Sequence, residues 1–263
     1  MSLKPLTTFG PKEHEKFMEK GYLRLGKVLS DNGLEALQQR IDDIMLGRIR
    51  YENMRYQLDS KTGVYSEMPV ESIGHKGETL QYRKIMDLEQ DPLHLAYMQC
   101  PLFREITRHY IGEDVSIFRA MFMNKSANQG TVLPWHQDVG FGWGLDRNPI
   151  ITVWTALDDA TEANGCMQIV PGGHKVGVVN ERHFISEADA EAHALEKRAI
   201  YLEADAGEAI LLNNLTPHRS GVNQTSQPRR AFSAAYMDAA TRLRSGNQEF
   251  PIIFGQNALT VVN

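Results

Sequence analysis

The chain has 263 residues, 42% hydrophobic and 23% charged, with a net charge of −5. That length and balance suit one globular domain with a large core, while the lack of a basic footprint argues against a nucleic-acid binder and no apolar run reaches the ~18 residues of a membrane span. Two cysteines, Cys100 and Cys166, with no Cys-x-x-Cys, exclude a disulfide framework and a zinc knuckle; free thiols and a start, Met1-Ser2-Leu3-Lys4-Pro5, without a signal core suggest the cytoplasm.

The first predicted element is a helix from Pro11 to Lys20, followed by a short strand at Tyr22–Leu25. Ser30-Asp31 reads as an N-cap. After it, Leu34, Leu37, Ile41 and Ile44 recur at helical spacing, which predicts a helix packed on the outside of a sheet. Residues 47–82 are polar and aromatic with little periodicity. A stretch this long without regular structure is usually functional or mobile, and the expectation is a lid. Asp91-Pro92 and Pro101 each open a helix, the second carrying Leu102, Phe103, Ile106 and Tyr110 on a buried face.

From Val115 the pattern changes to strands, at 116–123, 150–157, 167–170, 209–212 and 231–237. Short strands divided by turns, after helices, predict a closed or sandwiched β core with a helical flank. Asn164-Gly165 is a hairpin-turn signal, and Glu187 to Arg198 reads as one surface helix. The expected organisation is a single domain over 1–263. Residues 1–114 would form a mostly helical flank and lid, 115–240 the β core and 241–263 a C-terminal extension.

Chemistry concentrates at Trp135-His136-Gln137-Asp138 and at Pro217-His218-Arg219-Ser220-Gly221. On a strand, residues i and i+2 share a face, so His136 and Asp138 can reach one metal while Gln137 points away. With His218 from a distant strand, the set is two imidazoles and one carboxylate on one face of an octahedron, which suits Fe(II) with open positions. Zinc is the competing metal, but the His-Glu-x-x-His helix of zinc proteases is absent. Arg229, before a strand-like run, offers a fork that binds a carboxylate bidentately. Arg230 would point to the other face. Phe141 and Trp143, set among Gly140, Gly142 and Gly144, are candidates for packing on a substrate, and Arg55, Arg83 and Lys84 for binding an anionic group of it. His174 reads as a structural loop residue. His14, His75, His94, His109, His183 and His193 show no partner pattern and read as exposed or locally satisfied.

From Phe118 to Asp238 these pieces, with Trp154 and Asn164-Gly165-Cys166-Met167-Gln168-Ile169-Val170-Pro171-Gly172-Gly173-His174-Lys175, resemble the phytanoyl-CoA dioxygenase family of Fe(II)/2-oxoglutarate oxygenases. The resemblance implies a mainly β fold with flanking helices, its core a double-stranded β-helix (a cupin-like jelly roll). It implies that His136, Asp138 and His218 hold iron, and that Arg229 binds the far carboxylate of 2-oxoglutarate with Ser220, Trp154 and Asn124 beside it. The expected reaction is O2-dependent hydroxylation of a C–H bond of a small molecule, with release of succinate and CO2. Desaturation, epoxidation, cyclisation and oxidative demethylation are alternatives on the same cofactors, and a catalytically silent binding module is a further one. Halogenating relatives replace the carboxylate of the triad, whereas Asp138 is present here. The terminal Thr260-Val261-Val262-Asn263 is not a peroxisomal address, a departure from the family member that oxidises a fatty acyl thioester.

Overall fold

A computed structural model describes residues 6–246 and 248–261. The expectations resting on Met1–Pro5 and on the terminal Val262-Asn263 lie outside the described residues. Element by element, the chain runs α1 (Pro11–Lys20), β1 (Tyr22–Lys27), α2 (Asp31–Met45), β2 (Arg55–Leu58), β3 (Ser72–Ile73), β4 (Tyr82–Met86), α3 (Pro92–Met98) and α4 (Pro101–Tyr110). It continues with β5 (Val115–Lys125), β6 (Leu133–His136), β7 (Ile151–Ala156), β8 (Met167–Ile169), α5 (Glu187–Ala192), α6 (Leu195–Arg198), β9 (Ile200–Leu202), β10 (Glu208–Asn213), β11 (His218–Ser220), β12 (Arg229–Asp238) and β13 (Ile252–Phe254). No described helix is long and apolar enough to cross a membrane.

The strands form two antiparallel sheets. The large one has the order β1-β10-β7-β12-β5-β4-β2-β3, with β13 also pairing β5; the small one has the order β6-β11-β8-β9. β7 is buried at every position, because both faces of the large sheet are covered. Side chains alternate along a strand, and the alternation divides the core in two. Val153, Leu211, Phe232, Ala234 and Tyr236 join Phe17, Leu37, Ile41 and Phe103 of the helices in one apolar cluster. Trp154, Ile210, Leu212 and Ala231, of opposite parity, meet Met167, Ile169 and Leu202 of the small sheet in another. The helical flank and the facing-sheet core agree with the expected double-stranded β-helix.

Local signals account for the helices. Pro occupies the first turn of α1, α3 and α4, where its missing N–H costs nothing. Ser30 caps α2, its hydroxyl accepting from the Gly33 amide at 3.2 Å. Asp91 caps α3 and is fully buried, receiving Arg40 and Tyr51 as well as His94.

Three expectations are corrected. Residues 47–82 are not uniformly irregular, since β2, β3 and the start of β4 extend the large sheet beyond β5; the flank therefore supplies strands as well as helices. Asn164-Gly165 does not close a hairpin, because β7 and β8 belong to different sheets. The Asn164 side chain instead accepts from the Thr161 amide and donates to the Asp159 carbonyl, both at 2.8 Å. The surface helix is broken: α5 ends at Ala192 and α6 starts at Leu195, with Ala194 in the left-handed region at φ 50°.

Candidate metal centre

β6 and β11 are neighbours in the small sheet, and His218 is paired directly with His136 across it. Their ring centroids lie 4.0 Å apart. Each imidazole is oriented by a carbonyl two residues before it. Nδ1 of His136 donates to Pro134 O at 2.8 Å, and Nδ1 of His218 donates to Thr216 O at 3.0 Å. A carbonyl only accepts, so both rings carry their proton on Nδ1 and keep the Nε2 lone pair for a metal. Burial, with His218 and His183 nearby, holds the His136 pKa well below the ordinary value, as a neutral ligand requires.

Asp138 lies just past the end of β6 and not on the strand, although the two-residue spacing still brings it to the same site. Its amide donates to Asn214 O at 2.8 Å. Gln137 turns away, as expected, and is buried. Its side-chain amide donates to Gly177 O at 2.8 Å and Leu215 O at 2.6 Å, while its oxygen accepts from the Val179 amide at 2.9 Å. The residue between the two candidate ligands thus ties two loops to the site.

The sequence shows no partner pattern for His183 and reads it as exposed or locally satisfied; the structure places it against the candidate ligands. Its ligand atom lies within 4.8 Å of those of His136 and Asp138, its ring centroid is 4.9 Å from that of His136, and burial lowers its pKa to about 4. It comes from the irregular segment before α5, which carries no local signal of what it will face.

An open-mouthed cavity runs from this cluster between the two sheets. Ser220, Trp154, Asn124, Arg83 and Arg229 line it together with the candidate triad. Arg229 is buried, one guanidinium nitrogen donating to Gly165 O at 3.0 Å. Its Nε has no partner among the described residues, and burial brings its pKa down to about 10. Only glycine fits at position 165. It sits at φ 76°, and a Cβ there would come within 2.7 Å of the Gly221 and Val222 carbonyls. Arg230 behaves as the alternation predicts, pairing with Asp158 and Asp42 on the opposite face.

Lys125 was missed. It is directly opposite Arg229 in the β5–β12 ladder, is buried, and lines the cavity with its ammonium on Thr131 O at 2.8 Å. Two buried cations with no carboxylate partner among the described residues form an electropositive end that calls for a small dianion. Asn124 is partly committed elsewhere, its amide donating to Leu80 O and Tyr82 O at 3.0 and 3.2 Å.

The substrate candidates divide. Arg83 reaches the cavity, beside Tyr65, Lys84 and Arg119. Trp143 is one layer back, stacked on Phe118 at 4.8 Å and 5.2 Å from His183. Phe141 does not line the cavity; Arg244 lies 4.2 Å above its ring. Nor does Arg55, whose fork is closed on Asp87 at 2.7 and 2.6 Å. From 47–82, the expected lid, Tyr65 is the residue that reaches the cavity.

Comparison with known proteins follows the same lines. A family model described as phytanoyl-CoA dioxygenase (PhyH) matches residues 17–231. The chain is 28% identical over 244 residues to a probable phytanoyl-CoA dioxygenase of Caenorhabditis elegans, covering 85% of this chain and 74% of that one. It is 25% identical over 240 residues to the peroxisomal phytanoyl-CoA dioxygenase of Rattus norvegicus, covering 85% and 67%. Its fold superposes on the non-haem, alpha-ketoglutarate-dependent carbocyclase SnoK of nogalamycin biosynthesis with a TM-score of 0.71 at 20% identity, over 93% of this chain and 91% of that one.

Proposed function

The chain belongs to the phytanoyl-CoA dioxygenase family of Fe(II)- and 2-oxoglutarate-dependent oxygenases, and from that premise we propose that it hydroxylates a C–H bond of a small molecule, releasing succinate and CO2. The observation that carries the site assignment is Arg229, a buried cation whose Nε has no partner among the described residues in a cavity that also holds His136, Asp138 and His218.

In this reading His136, Asp138 and His218 hold the iron through two Nε2 atoms and one carboxylate oxygen. When bound, the iron and 2-oxoglutarate supply O2 activation coupled to oxidative decarboxylation. The protein supplies position and electrostatics. Arg229 forks onto the far carboxylate of 2-oxoglutarate, and Lys125 adds a second positive charge beside it. Ser220, next to the electropositive end, donates a further hydrogen bond. Trp154, Met167 and Leu212 wall the cosubstrate with apolar surface, which keeps water from competing for the cations. Asn124 holds the Leu80–Tyr82 backbone, and its side-chain oxygen has no partner among the described residues. Asp138 fills the carboxylate position, so oxygen transfer without halide is expected. His183 stands beside this triad, its segment joined to β6 through the Phe184–His136 bridge, and in this reading it is not a ligand.

The test is succinate formation from 2-oxoglutarate by Fe(II)-loaded protein on admission of O2, across a panel of small molecules. His136→Ala and Arg229→Ala are expected to abolish it and one class of compound to raise it. Wild-type protein that takes up neither metal nor 2-oxoglutarate would overturn the assignment.

A further inference from the structure

β5 carries more than the cosubstrate end. Arg119, Met121, Met123 and Lys125 occupy alternate positions on it and all line the cavity, so one strand face runs along the whole chamber. Six residues of strand span about 20 Å. At one end Lys125 meets Arg229. At the other lies Arg119. β4 pairs with β5 so that Lys84 is opposite Met123, which places Lys84 along the middle of this face and Arg83 toward its Lys125 end.

The charges along this wall do not balance. Arg83 has Asp59 at 4.0 Å and Lys84 has Glu71 at 3.3 Å, and Glu71 is shared with Arg55 at 3.8 Å. Arg119 has no carboxylate within 4.0 Å among the described residues. The single carboxylate lining the cavity is Asp138, which the metal takes up. Arg119 is nonetheless held in place. Its guanidinium lies 4.4 Å from the ring centre of Trp143 and 4.9 Å from that of Phe118. Stacking fixes the plane of the guanidinium and leaves its in-plane N–H donors free for a planar or tetrahedral anion.

We infer that the substrate is itself an anion, and that its carboxylate or phosphoryl group is received by Arg119, with Lys84 of the neighbouring strand on the same wall. This rests on the oxygenase reading above, and gives the β5 face of the chamber a cation at each end, Lys125 and Arg119. The Lys125 end is for 2-oxoglutarate, and the Arg119 end is for the substrate. Met121 and Met123 between them provide an apolar, adaptable floor for the carbon skeleton that carries the oxidised C–H bond.

The experiment is anaerobic titration calorimetry on the protein loaded with Fe(II) and saturating 2-oxoglutarate. The probes are butyrate and methylphosphonate, each against a neutral partner, butyramide and dimethyl methylphosphonate. At least one anion is expected to bind about tenfold or more tightly than its neutral partner, the scale of one charge-assisted contact; which one does so distinguishes a carboxylate from a phosphoryl source. Arg119→Gln removes the discrimination and Arg119→Lys keeps part of it, with 2-oxoglutarate affinity unchanged in both. Equal binding of both anions and their neutral partners to wild type overturns the inference, and that comparison needs no variant. So does retained discrimination in a folded Arg119→Gln protein. Failure of wild type to bind 2-oxoglutarate would instead strike the underlying oxygenase reading.

Discussion

His218 lies directly across the small sheet from His136, with ring centroids 4.0 Å apart and both Nδ1 atoms turned onto carbonyls two residues upstream. A ladder pair is a rigid way to hold two candidate ligands, because the register fixes both backbones and each Nδ1 is anchored on a carbonyl. His183 is held less extensively, by the Gln137 amide on its carbonyl at 3.3 Å and the single Phe184–His136 bridge. Metal uptake should therefore separate the two histidines. In a Co(II) or Fe(II) titration His218→Ala is expected to lose tight binding, while His183→Ala keeps affinity to within about tenfold, the lower end of what an outer-shell residue contributes. Equal losses in the two variants would mean that His183 is a ligand.

Arg229→Met removes a buried cation that has no carboxylate partner among the described residues. Affinity for 2-oxoglutarate is expected to fall about a hundredfold or more, in line with the ~3–5 kcal/mol of a broken buried charge pair. Stability without 2-oxoglutarate should stay level or rise, since the desolvation that brings the pKa down to about 10 is relieved. Denaturant melts with and without 2-oxoglutarate read both effects. A variant that binds 2-oxoglutarate as well as wild type would refute the assignment.

Gln137→Ala leaves the Gly177 and Leu215 carbonyls and the Val179 amide without their buried partner. The expected cost is about 2–4 kcal/mol of stability, together with a fall in metal affinity because Asp138 is the next residue. Urea midpoints and metal titration on the same preparation check it. A stable variant with weak metal binding would assign Gln137 to ligand positioning alone.

Asp91 supplies a pH dependence remote from the metal. Burial raises its pKa, but hydrogen bonds from His94 and Tyr51 outweigh that, and the folded value ends well below the ordinary 3.8. A carboxylate with a depressed folded pKa stabilises the fold fully above its unfolded value, and this is lost as pH falls below it. Thermal melts should show an acid-labile component below about pH 4. That component should be absent in Asp91→Asn, which is destabilised at neutral pH by about 3 kcal/mol.

Lys84 gives the substrate wall its own pH profile. Burial first, and Arg83 next to it, bring its pKa down to about 8. The cation is present below that value and lost above it, so anion affinity at the Arg119 end should decline as pH rises through about 8. Lys84→Met should flatten this part of the profile. An unchanged profile would remove Lys84 from the anion site.

The sequence by itself determined the helices α1 to α4, the strand-rich second half and the identity of the metal and Arg229 candidates. Each of these depends on local rules. Pro and Ser set the helix starts, the 3.6-residue period marks buried helix faces, and two-residue spacing lets His136 and Asp138 reach one point. Alternation alone also sent Arg230 away from Arg229, and the structure has the two on opposite faces of β12. The tertiary structure decided what no local rule contains. Lys125 is an ordinary lysine until β5 pairs with β12 and sets it against Arg229. Arg119 and His183 gain their meaning from the rings and carboxylates that other segments bring to them. Arg55 and Phe141 lose theirs because Asp87 and Arg244 occupy them first. Charge and aromaticity are properties of single residues, but whether a cation is left without a partner depends on every chain segment that packs around it.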